Sequence, residues 1–322
     1  MLRIQQVNPG SFAESASRIL LQSWPVTCFH YSPDHLRWQF SFPGPYPSVG
    51  VAAFDGNEPV GFAAATPRRL RFQQMGSETY VVSFVAVRPA WRGRGIAADL
   101  YTCLLGALRE AGLPIVTFAE PGAVGERALV KAYPSAGFEL RTLGRFTTYG
   151  YSPRSGAAPT SVQVLETSDA ATILATIQRR GDHQTLWSDP DCQWLEHNDE
   201  DPWLRATVIL RLTGGDGLGC AMIVRSEFVT AKGISLVPMI DQLFLYQPEA
   251  EALRALCEFA SERWSGPAAR TNVTVPNAWG IDPMILRSAG LRQTPRQFTG
   301  YVCSPDPHCP FLNAQGTNLH IV

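Results

Sequence analysis

The sequence predicts a mixed α/β (α+β) sheet fold that is built twice in tandem. With 322 residues, of which 45% are hydrophobic, the chain is long enough for two domains of roughly 150 residues each. Residues 2–20 have the pattern of a strand, a turn and an amphipathic helix, and residues 162–180 repeat that pattern. Segments 60–87 and 218–245 align without a gap, and each reads as a strand, a polar meander and a second, apolar strand.

The correspondence continues in the same order towards the end of each half. The segment IVTFAEP, residues 115–121, corresponds to NVTVPNA, residues 272–278, and LVKAYPSAGFEL corresponds to ILRSAGLRQT. Each half then ends in a strand, GRFTTYGY in the first and QFTGYV in the second. Identity between these segments is low, but their shared order favours an internal duplication, with helices on the faces of a mixed sheet in each half.

A stretch rich in Ser, Pro, Gly and Ala separates the two halves. We therefore expect a first domain at residues 1–150, a linker at 151–160, a second domain at 161–305 and a tail at 306–322. The sequence leaves open whether the tail is an ordered strap or a flexible end.

Charge and hydropathy exclude several function classes. Lys plus Arg number 27 and Asp plus Glu number 28, so there is no basic surplus for nucleic acid, and any charged ligand must be bound locally. No window reaches 18 uninterrupted apolar residues and the N-terminus lacks a signal-peptide pattern, so we expect a cytoplasmic protein with no membrane partner. Seven scattered cysteines without a C-x-x-C pair predict reduced thiols, and the histidines lack metal-ligand spacing, so no metal is expected.

The segment VRPAWRGRGIA follows an apolar strand and occurs only in the first half. Gly93 and Gly95 allow backbone N–H groups to surround an anion, and a helix that begins at about Ile96 directs free amides and a positive dipole end at the same point. The segment has no P-loop signature. A Rossmann G-x-G-x-x-A fingerprint is a rival, but residues 88–92 separate the strand from Gly93, whereas a Rossmann glycine follows its strand at once. An ordinary solvated turn is the remaining alternative.

The same residues resemble the coenzyme A signature of the GCN5-related N-acetyltransferases, the GNAT superfamily. In that signature an apolar strand is followed by x-P and then by R-x-x-G-x-A, here Arg92, Gly95 and Ala97. The segment YPSAGF, which begins at Tyr133, matches the Y-x-x-x-G-F that is common in the family. The order of helices and strands agrees over residues 1–150.

The second half resembles the same fold but departs from the pattern at two places. It lacks the arginine and glycine loop, and Leu286 stands where Tyr133 would be. The chain therefore looks like a tandem GNAT protein with an intact N-terminal domain and a degenerate C-terminal domain. We expect the second half to cover or shape the pocket, and acetyl-CoA to bind once per chain.

The resemblance implies acetyl-CoA as the cosubstrate. Its pantetheine arm would lie along the edge of the strand that holds Val85, Ala86 and Val87, and its pyrophosphate would lie on the amides of residues 92–97. An N–H group at Val85 or Ala86 would stabilise the oxyanion during direct attack by an acceptor amine in a ternary complex. The residues that would bind acetyl-CoA are Val85, Ala86, Val87, Arg92, Gly93, Arg94, Gly95, Ile96 and Ala97.

Two side chains are candidates for moving protons. The family motif makes Tyr133 the candidate acid for the departing sulfur, although the ring could instead fill space between helix and sheet. Pro134 departs from the motif, and we expect it to end or kink the helix just after Tyr133. Glu120, at the end of a predicted strand, could act as a base or bind a cationic substrate, or could be a carboxylate in solvent.

Three aromatic side chains in WQFSFPGPYP are candidate walls of the acceptor pocket, namely Trp38, Phe42 and Tyr46, although a buried core is the alternative. The leading hypothesis is an N-acetyltransferase, monomeric or homodimeric, that acts on a small-molecule amine or an amino-acid-like metabolite. The alternatives are transfer of another acyl group, transfer to a thiol or carrier-bound acceptor, and a non-catalytic regulatory module that binds coenzyme A.

Overall fold

The structure is a computed structural model that describes residues 2–24, 28–153, 161–178, 186–213, 217–246, 249–265, 272–277, 281–315 and 317–318. The first half contains, in order, β1 (Leu2–Val7), α1 (Ala13–Ser23), β2 (Cys28–Phe29), α2 (Pro33–Phe40), β3 (Val49–Asp55), β4 (Glu58–Phe72), β5 (Met75–Val87), a 3-10 turn (Pro89–Trp91), α3 (Ile96–Ala111), β6 (Ile115–Ala119), α4 (Val124–Ser135) and β7 (Glu139–Tyr151). The second half contains β8 (Val162–Glu166), α5 (Ala170–Gln178), β9 (Leu186–Ser188), α6 (Cys192–Asp199), β10 (Arg205–Leu212), β11 (Gly217–Thr230), β12 (Gly233–Leu245), α7 (Ala250–Ser265), β13 (Val273–Asn277), α8 (Pro283–Ser288) and β14 (Arg292–Ser304). A second 3-10 turn (Pro310–Asn313) and β15 (Thr317–Asn318) follow.

The main strands form one continuous mixed sheet, in the order β1-β3-β4-β5-β6-β14-β7-β13-β12-β11-β10-β8. Read inward from either edge, the two halves give the same sequence of elements, which confirms the predicted tandem α/β fold. The last strands are exchanged, however. β14, from the second half, pairs with β6, and β7, from the first half, pairs with β13. Each half therefore completes its sheet with a strand of the other.

The helices cover both faces of the first half of the sheet. On one face α3 buries Ile96, Leu100, Leu104 and Leu108, which recur every four residues as expected of an amphipathic helix. α3 ends at Gly112, whose left-handed φ of 69° closes the helix. On the other face α1 and α2 pack against Phe62 and Phe84. The sheet between these layers carries the candidate site.

The polar meander predicted within residues 60–87 is in fact the arms of a long hairpin. β4 and β5 pair without interruption from Phe72↔Met75 to Ala65↔Val82, and Gln73 in the turn has a left-handed φ of 55°. One face of these arms is partly exposed and therefore carries polar residues. In the sequence these polar residues resembled those of a loop. Short strands bind across the two halves, since β9 pairs with β4 and β2 pairs with β11.

The predicted linker lies largely outside the described residues, at 154–160. In the described part of the tail, Phe311 is buried and β15 pairs in parallel with β9, so these residues pack as an ordered strap. The domain boundaries at residues 150 and 305 remain predictions. No helix in the described part of the chain is both long and apolar enough to cross a membrane.

Gly300 on the exchanged strand β14 provides a test of this arrangement. A Cβ atom there would lie 2.5 Å from the ring of Phe146 and 3.1 Å from the ring of Phe118. Gly300→Ala should therefore lower the free energy of unfolding by about 1–3 kcal/mol, the usual cost of overpacking, as measured by urea denaturation. Gly106→Ala is the matched control, because a Cβ atom at Gly106 meets nothing within 4 Å and helical alanine should slightly stabilise α3. Equal stability of the two variants would contradict the packing of β14.

Candidate functional site

The loop between β5 and α3 has the geometry of an anion site made of backbone amides. Gly93 and Gly95 have left-handed φ angles of 78° and 80°, and a Cβ atom at either would face open space. Gly95 is the N-cap of α3 and provides no side-chain cap. In the part of the chain that the structure describes, the amides of residues 93–97 donate to no backbone acceptor. They are therefore available to a ligand, at the positive end of the helix dipole.

The arginines of the loop support its backbone. Arg92 donates through Nε to the carbonyl of Val87 at 3.1 Å and also bonds the carbonyl of Ser23. Its own amide donates to Pro89 at 3.2 Å, so the amide of Arg92 is already used within the turn. Arg94 lies over the ring of Trp91, 4.5 Å from the ring centroid. Both side chains thus brace the loop and add positive charge beside it.

β5 contains a β-bulge at Ser83 that was not expected from the sequence. Ala64 pairs with Phe84 and Ala65 pairs with Val82, so Ser83 is left without a partner on β4. On its other side β5 pairs with β6 only as far as Val82↔Thr117. Among the described strands, none continues this pairing along residues 83–87, so an open strand edge leads from the bulge to the glycine loop.

The direction of the backbone groups along this edge follows from two hydrogen bonds. The amide of Arg88 donates to Val60 on β4 at 2.9 Å. Because alternate residues of a strand turn their backbone groups to opposite sides, Ala86 also faces β4, whereas Val85 and Val87 face the open edge. The bond from Arg92 to the carbonyl of Val87 agrees with this direction. Of the two predicted oxyanion donors, Val85 is the one whose N–H group faces the open edge.

Tyr133 lies near the end of α4 and is fully buried between α3 and the sheet. Its ring contacts Tyr101 edge-on, with ring centroids 6.0 Å apart, and its hydroxyl has no hydrogen-bond partner among the described residues. Burial, with Cys303 and Tyr101 nearby, raises the pKa of Tyr133 well above its usual value, although Thr117 opposes this rise. The phenol of Tyr133 therefore stays protonated and can donate a hydrogen bond. As expected from Pro134, α4 ends soon after Tyr133, at Ser135.

Leu286 occupies the equivalent position in the second half. The amide of Phe138 donates to the carbonyl of Tyr133 at 3.1 Å, and the amide of Leu291 donates to the carbonyl of Leu286 at 3.0 Å. In each case a glycine with a left-handed φ follows the helix, as in a Schellman motif. The second half thus has a methyl-bearing side chain where the first half has a hydroxyl.

The second half keeps the strand geometry but not the anion loop. β12 has a bulge at Asp241, and β12 and β13 pair only at Met239↔Thr274. The first turn of α7 carries Glu251, which accepts a hydrogen bond from Ser161, and no glycine precedes it. A carboxylate at a helix N-terminus opposes binding of a second anion there.

These features were compared with those of known proteins. Residues 13–138 match the model of the Acetyltransferase (GNAT) family. A tandem GNAT protein from the clavulanic acid biosynthesis pathway has a TM-score of 0.63 at 13% identity, with 95% of this chain and 99% of that chain covered. The chain is a tandem GNAT-fold protein.

Other solved structures have a similar fold. The Saccharomyces cerevisiae N-myristoyltransferase with bound myristoyl-CoA has a TM-score of 0.68 at 11% identity, with 100% of this chain and 85% of that chain covered. A GCN5-related N-acetyltransferase from Anabaena variabilis has a TM-score of 0.58 at 15% identity, with 94% of this chain and 73% of that chain covered. No curated protein matches this tandem GNAT-fold protein by sequence. The fold is thus that of acyl-CoA N-acyltransferases, whose donors differ in chain length.

The tandem GNAT fold places a small cavity, of about 20 Å³, beside the β5 bulge. The first half contributes Trp38, Phe42, Arg68 and Val81 to its lining, and the second half contributes residues that include Ser188, Asn198 and Gln242. Trp38 and Phe42 therefore line a cavity, and their role as walls of an acceptor pocket stays a prediction. Tyr46 does not line this cavity and packs instead against the core beneath α3. Arg68 was missed, although three arginines within the largely apolar strand β4 are a signal for it.

A buried charge network joins the halves of the tandem GNAT-fold protein, and two of its members, Arg205 and Asp241, line this cavity. Arg205 pairs with Asp201 and with Asp241. His35, from the first half, lies 3.3 Å from Asp201 and stacks on Trp203 at a centroid distance of 3.7 Å. Burial alone would raise the pKa of Asp201, but Arg205 and His35 hold it well below its usual range. The network therefore fixes the position of α2 relative to the second half.

Glu120 is exposed after β6, and its carboxylate has no partner among the described residues. Within the same residues, no group of His, Cys, Asp and Glu side chains is arranged to hold a metal ion.

Proposed function

We propose that the protein is an acyl-CoA-dependent N-acetyltransferase that transfers the acetyl group of acetyl-CoA to the amine of a small metabolite by direct attack in a ternary complex. The observation that carries this proposal is the open edge of β5, which begins at the Ser83 bulge and leads directly into the glycine loop. An edge that continues into an anion site matches a ligand with a pantetheine arm and a pyrophosphate.

The residues present fit such a ligand. The amides of residues 93–97 would hold the pyrophosphate, since a Cβ atom at Gly93 or Gly95 would project into open space. The backbone groups of Val85 and Val87 would pair with the pantetheine amides as though these formed another strand. The unpartnered hydroxyl of Tyr133 is a donor that lacks an acceptor within the chain. When bound, acetyl-CoA would supply the thioester carbon that an amine attacks.

The chain would contribute two donors to this reaction. The N–H group of Val85 would stabilise negative charge that develops on the carbonyl oxygen. Tyr133 would donate a hydrogen bond to the departing sulfur. Because burial raises the pKa of Tyr133, complete transfer of its proton to a thiolate of pKa about 8.5 is uphill, so we assign it stabilisation of the sulfur rather than early protonation. Glu120 would accept the proton of the amine, directly or through water.

One acetyl-CoA should bind per chain. The second half has Leu286 in place of the tyrosine and Glu251 at the start of α7, and neither favours the ligand. Isothermal titration calorimetry should give a stoichiometry of one. A stoichiometry of two would contradict the assignment of the second half as a degenerate domain that only shapes the pocket.

The activity is tested by a screen of small amines that records release of free thiol from acetyl-CoA. Each amine is compared with a reaction without acceptor, which measures simple hydrolysis. Acceptor-dependent release would support the proposal, and binding of acetyl-CoA without release for any amine would favour a regulatory module.

All seven cysteines are free thiols, which supports the proposed cytoplasmic location. The thiol-release assay must therefore be corrected for the thiols of the enzyme itself.

A further inference from the structure

Arg68 is a cation in the wall of the cavity. It lies on β4, its guanidinium stacks on Phe42 at 3.7 Å, and it donates to Gln39 and to the carbonyl of Pro67 at 2.6 and 2.8 Å. Within the described part of the chain, no carboxylate lies at ion-pair distance from it. Burial and the charge of Arg205 lower the pKa of Arg68 to about 9, so it is still protonated at neutral pH.

The charges around the cavity are unevenly distributed. Both carboxylates of the buried network, Asp201 and Asp241, pair with Arg205. Arg68 has only neutral oxygen atoms as hydrogen-bond partners. Asp241 and Arg205 also line the cavity, but they pair with each other, and Asp241 acts on Arg68 only at longer range. Arg68 is therefore left as a cation with which an incoming anion could pair.

Two further polar groups line the cavity without partners. The Nδ2 atom of Asn198 and the Oε1 atom of Gln242 form no hydrogen bond among the described residues, although their residues are only 5% and 2% exposed. Buried polar groups are nearly always satisfied, and an unsatisfied one carries a desolvation penalty. Either amide can present a donor after a half-turn of its side chain. These groups would be satisfied by a small polar group that enters the cavity.

The position of the cavity relates it to the reaction. Val81, which forms part of its wall, precedes the last residue of β5 that pairs with β6, and the bulge at Ser83 follows. The volume of about 20 Å³ admits a group not much larger than a water molecule. It does not admit a whole metabolite. The cavity therefore suits one end of an acceptor whose amine lies at the bulge.

We infer that the acceptor carries a carboxylate, which enters this cavity and pairs with Arg68 and Asn198, so that the acceptor class is amino acids and other small amino carboxylates. This inference rests on the proposed N-acetyltransferase function and names the substrate class of the same site. Arg68 and Asn198 come from different halves, so recognition of the acceptor requires both.

Matched pairs of acceptors test the inference. Amino acids are compared with the corresponding amino acid amides, which have the same shape without the negative charge. The wild-type protein should have a kcat/KM at least about tenfold higher for the acid of the best pair, because one charge-assisted hydrogen bond is worth about that factor.

Two variants should remove this preference from opposite sides of the cavity. Arg68→Met removes the cation, and Asn198→Asp places a fixed carboxylate where the ligand carboxylate would lie while adding an ion-pair partner for Arg68. Arg68→Lys, which keeps the charge, should retain part of the preference. Arg69→Met is the matched control, since Arg69 is the next residue of β4, is exposed and pairs with Asp189 outside the cavity. It should keep the preference in full.

The outcomes separate this inference from the proposed function. If acetyl transfer occurs but acids and amides react equally, or if Asn198→Asp keeps the preference, the carboxylate subsite is wrong and the function stands. If calorimetry detects no acetyl-CoA binding, the proposed function is wrong. The subsite is then tested by titration of the same amino acids against the fluorescence of Trp38 and Trp194, which line the cavity. Saturable quenching that Asn198→Asp abolishes supports the subsite, and its absence in the wild type overturns it.

Discussion

Replacing Gly95 by alanine should lower the affinity for acetyl-CoA by at least about a hundredfold, from the loss of two charge-assisted hydrogen bonds at about 1.5 kcal/mol or more each. Gly95 has a φ of 80°, which an alanine adopts only with strain, and its Cβ atom would project into the open space in front of the loop. Both effects displace the amides of Ile96 and Ala97 from a bound phosphate. Calorimetric titration of the variant measures the change.

Gly112 provides the control at the other end of the same helix. It also has a left-handed φ, 69°, and a Cβ atom there also meets nothing within 4 Å. Gly95→Ala and Gly112→Ala should therefore lower the free energy of unfolding by similar amounts, about 1–2 kcal/mol each. Only Gly95→Ala should weaken binding. If both variants bind acetyl-CoA like the wild type, the loop is not its phosphate site.

Tyr133→Phe should lower the turnover number by about a hundredfold or more, the usual contribution of one positioned hydrogen-bond donor to a group that gains negative charge, with little change in acetyl-CoA binding. The same variant should be at least as stable as the wild type, because the hydroxyl is buried without a partner and its removal relieves a desolvation penalty of about 1–3 kcal/mol. Loss of rate together with a gain in stability is a combination that a packing role does not give. Steady-state kinetics and urea denaturation on one preparation measure both.

Tyr101→Phe is the control, because Tyr101 is buried in the same core and contacts Tyr133. It should leave the turnover number unchanged. Since the raised pKa keeps Tyr133 protonated beyond its usual range, the wild-type turnover number should not fall through ionisation of Tyr133 as the pH rises from 6 to about 10. If Tyr133→Phe binds acetyl-CoA and turns over normally, Tyr133 only fills space.

The parts of the site that were predictable are those with a local sequence signature. Gly93 and Gly95 indicate a loop with left-handed backbone, and Gly137 and Gly290 each end a helix four residues beyond Tyr133 or its counterpart Leu286. The duplication was predictable for a related reason. The two halves have low sequence identity, but these local signals occur in the same order in both.

Other parts depend on which segments meet, and a single segment does not specify that. The bulge at Ser83 arises from the register between β4 and β5, and its residues are part of an ordinary apolar run. In the second half a signal existed, since Asp241 interrupts the apolar run of β12 at the equivalent bulge. The cavity was not predictable, because Arg68 and Asn198 lie far apart in the chain and meet only when the halves dock. Tyr46 was wrongly placed for the same reason, since its short segment fits either a core or a cavity wall.

The exchange of β7 and β14 bears on the synthesis and evolution of the chain. Thr299 pairs with Ala119, 180 positions earlier, so the sheet that carries the glycine loop cannot close until almost the whole polypeptide has left the ribosome. A gene fragment that encodes only the first half would produce β6 with an exposed edge, which invites aggregation. The second half is therefore needed to complete the sheet of the first, whether or not it binds acetyl-CoA. A premature stop codon at any point before β14 should inactivate a site whose own residues have all been translated.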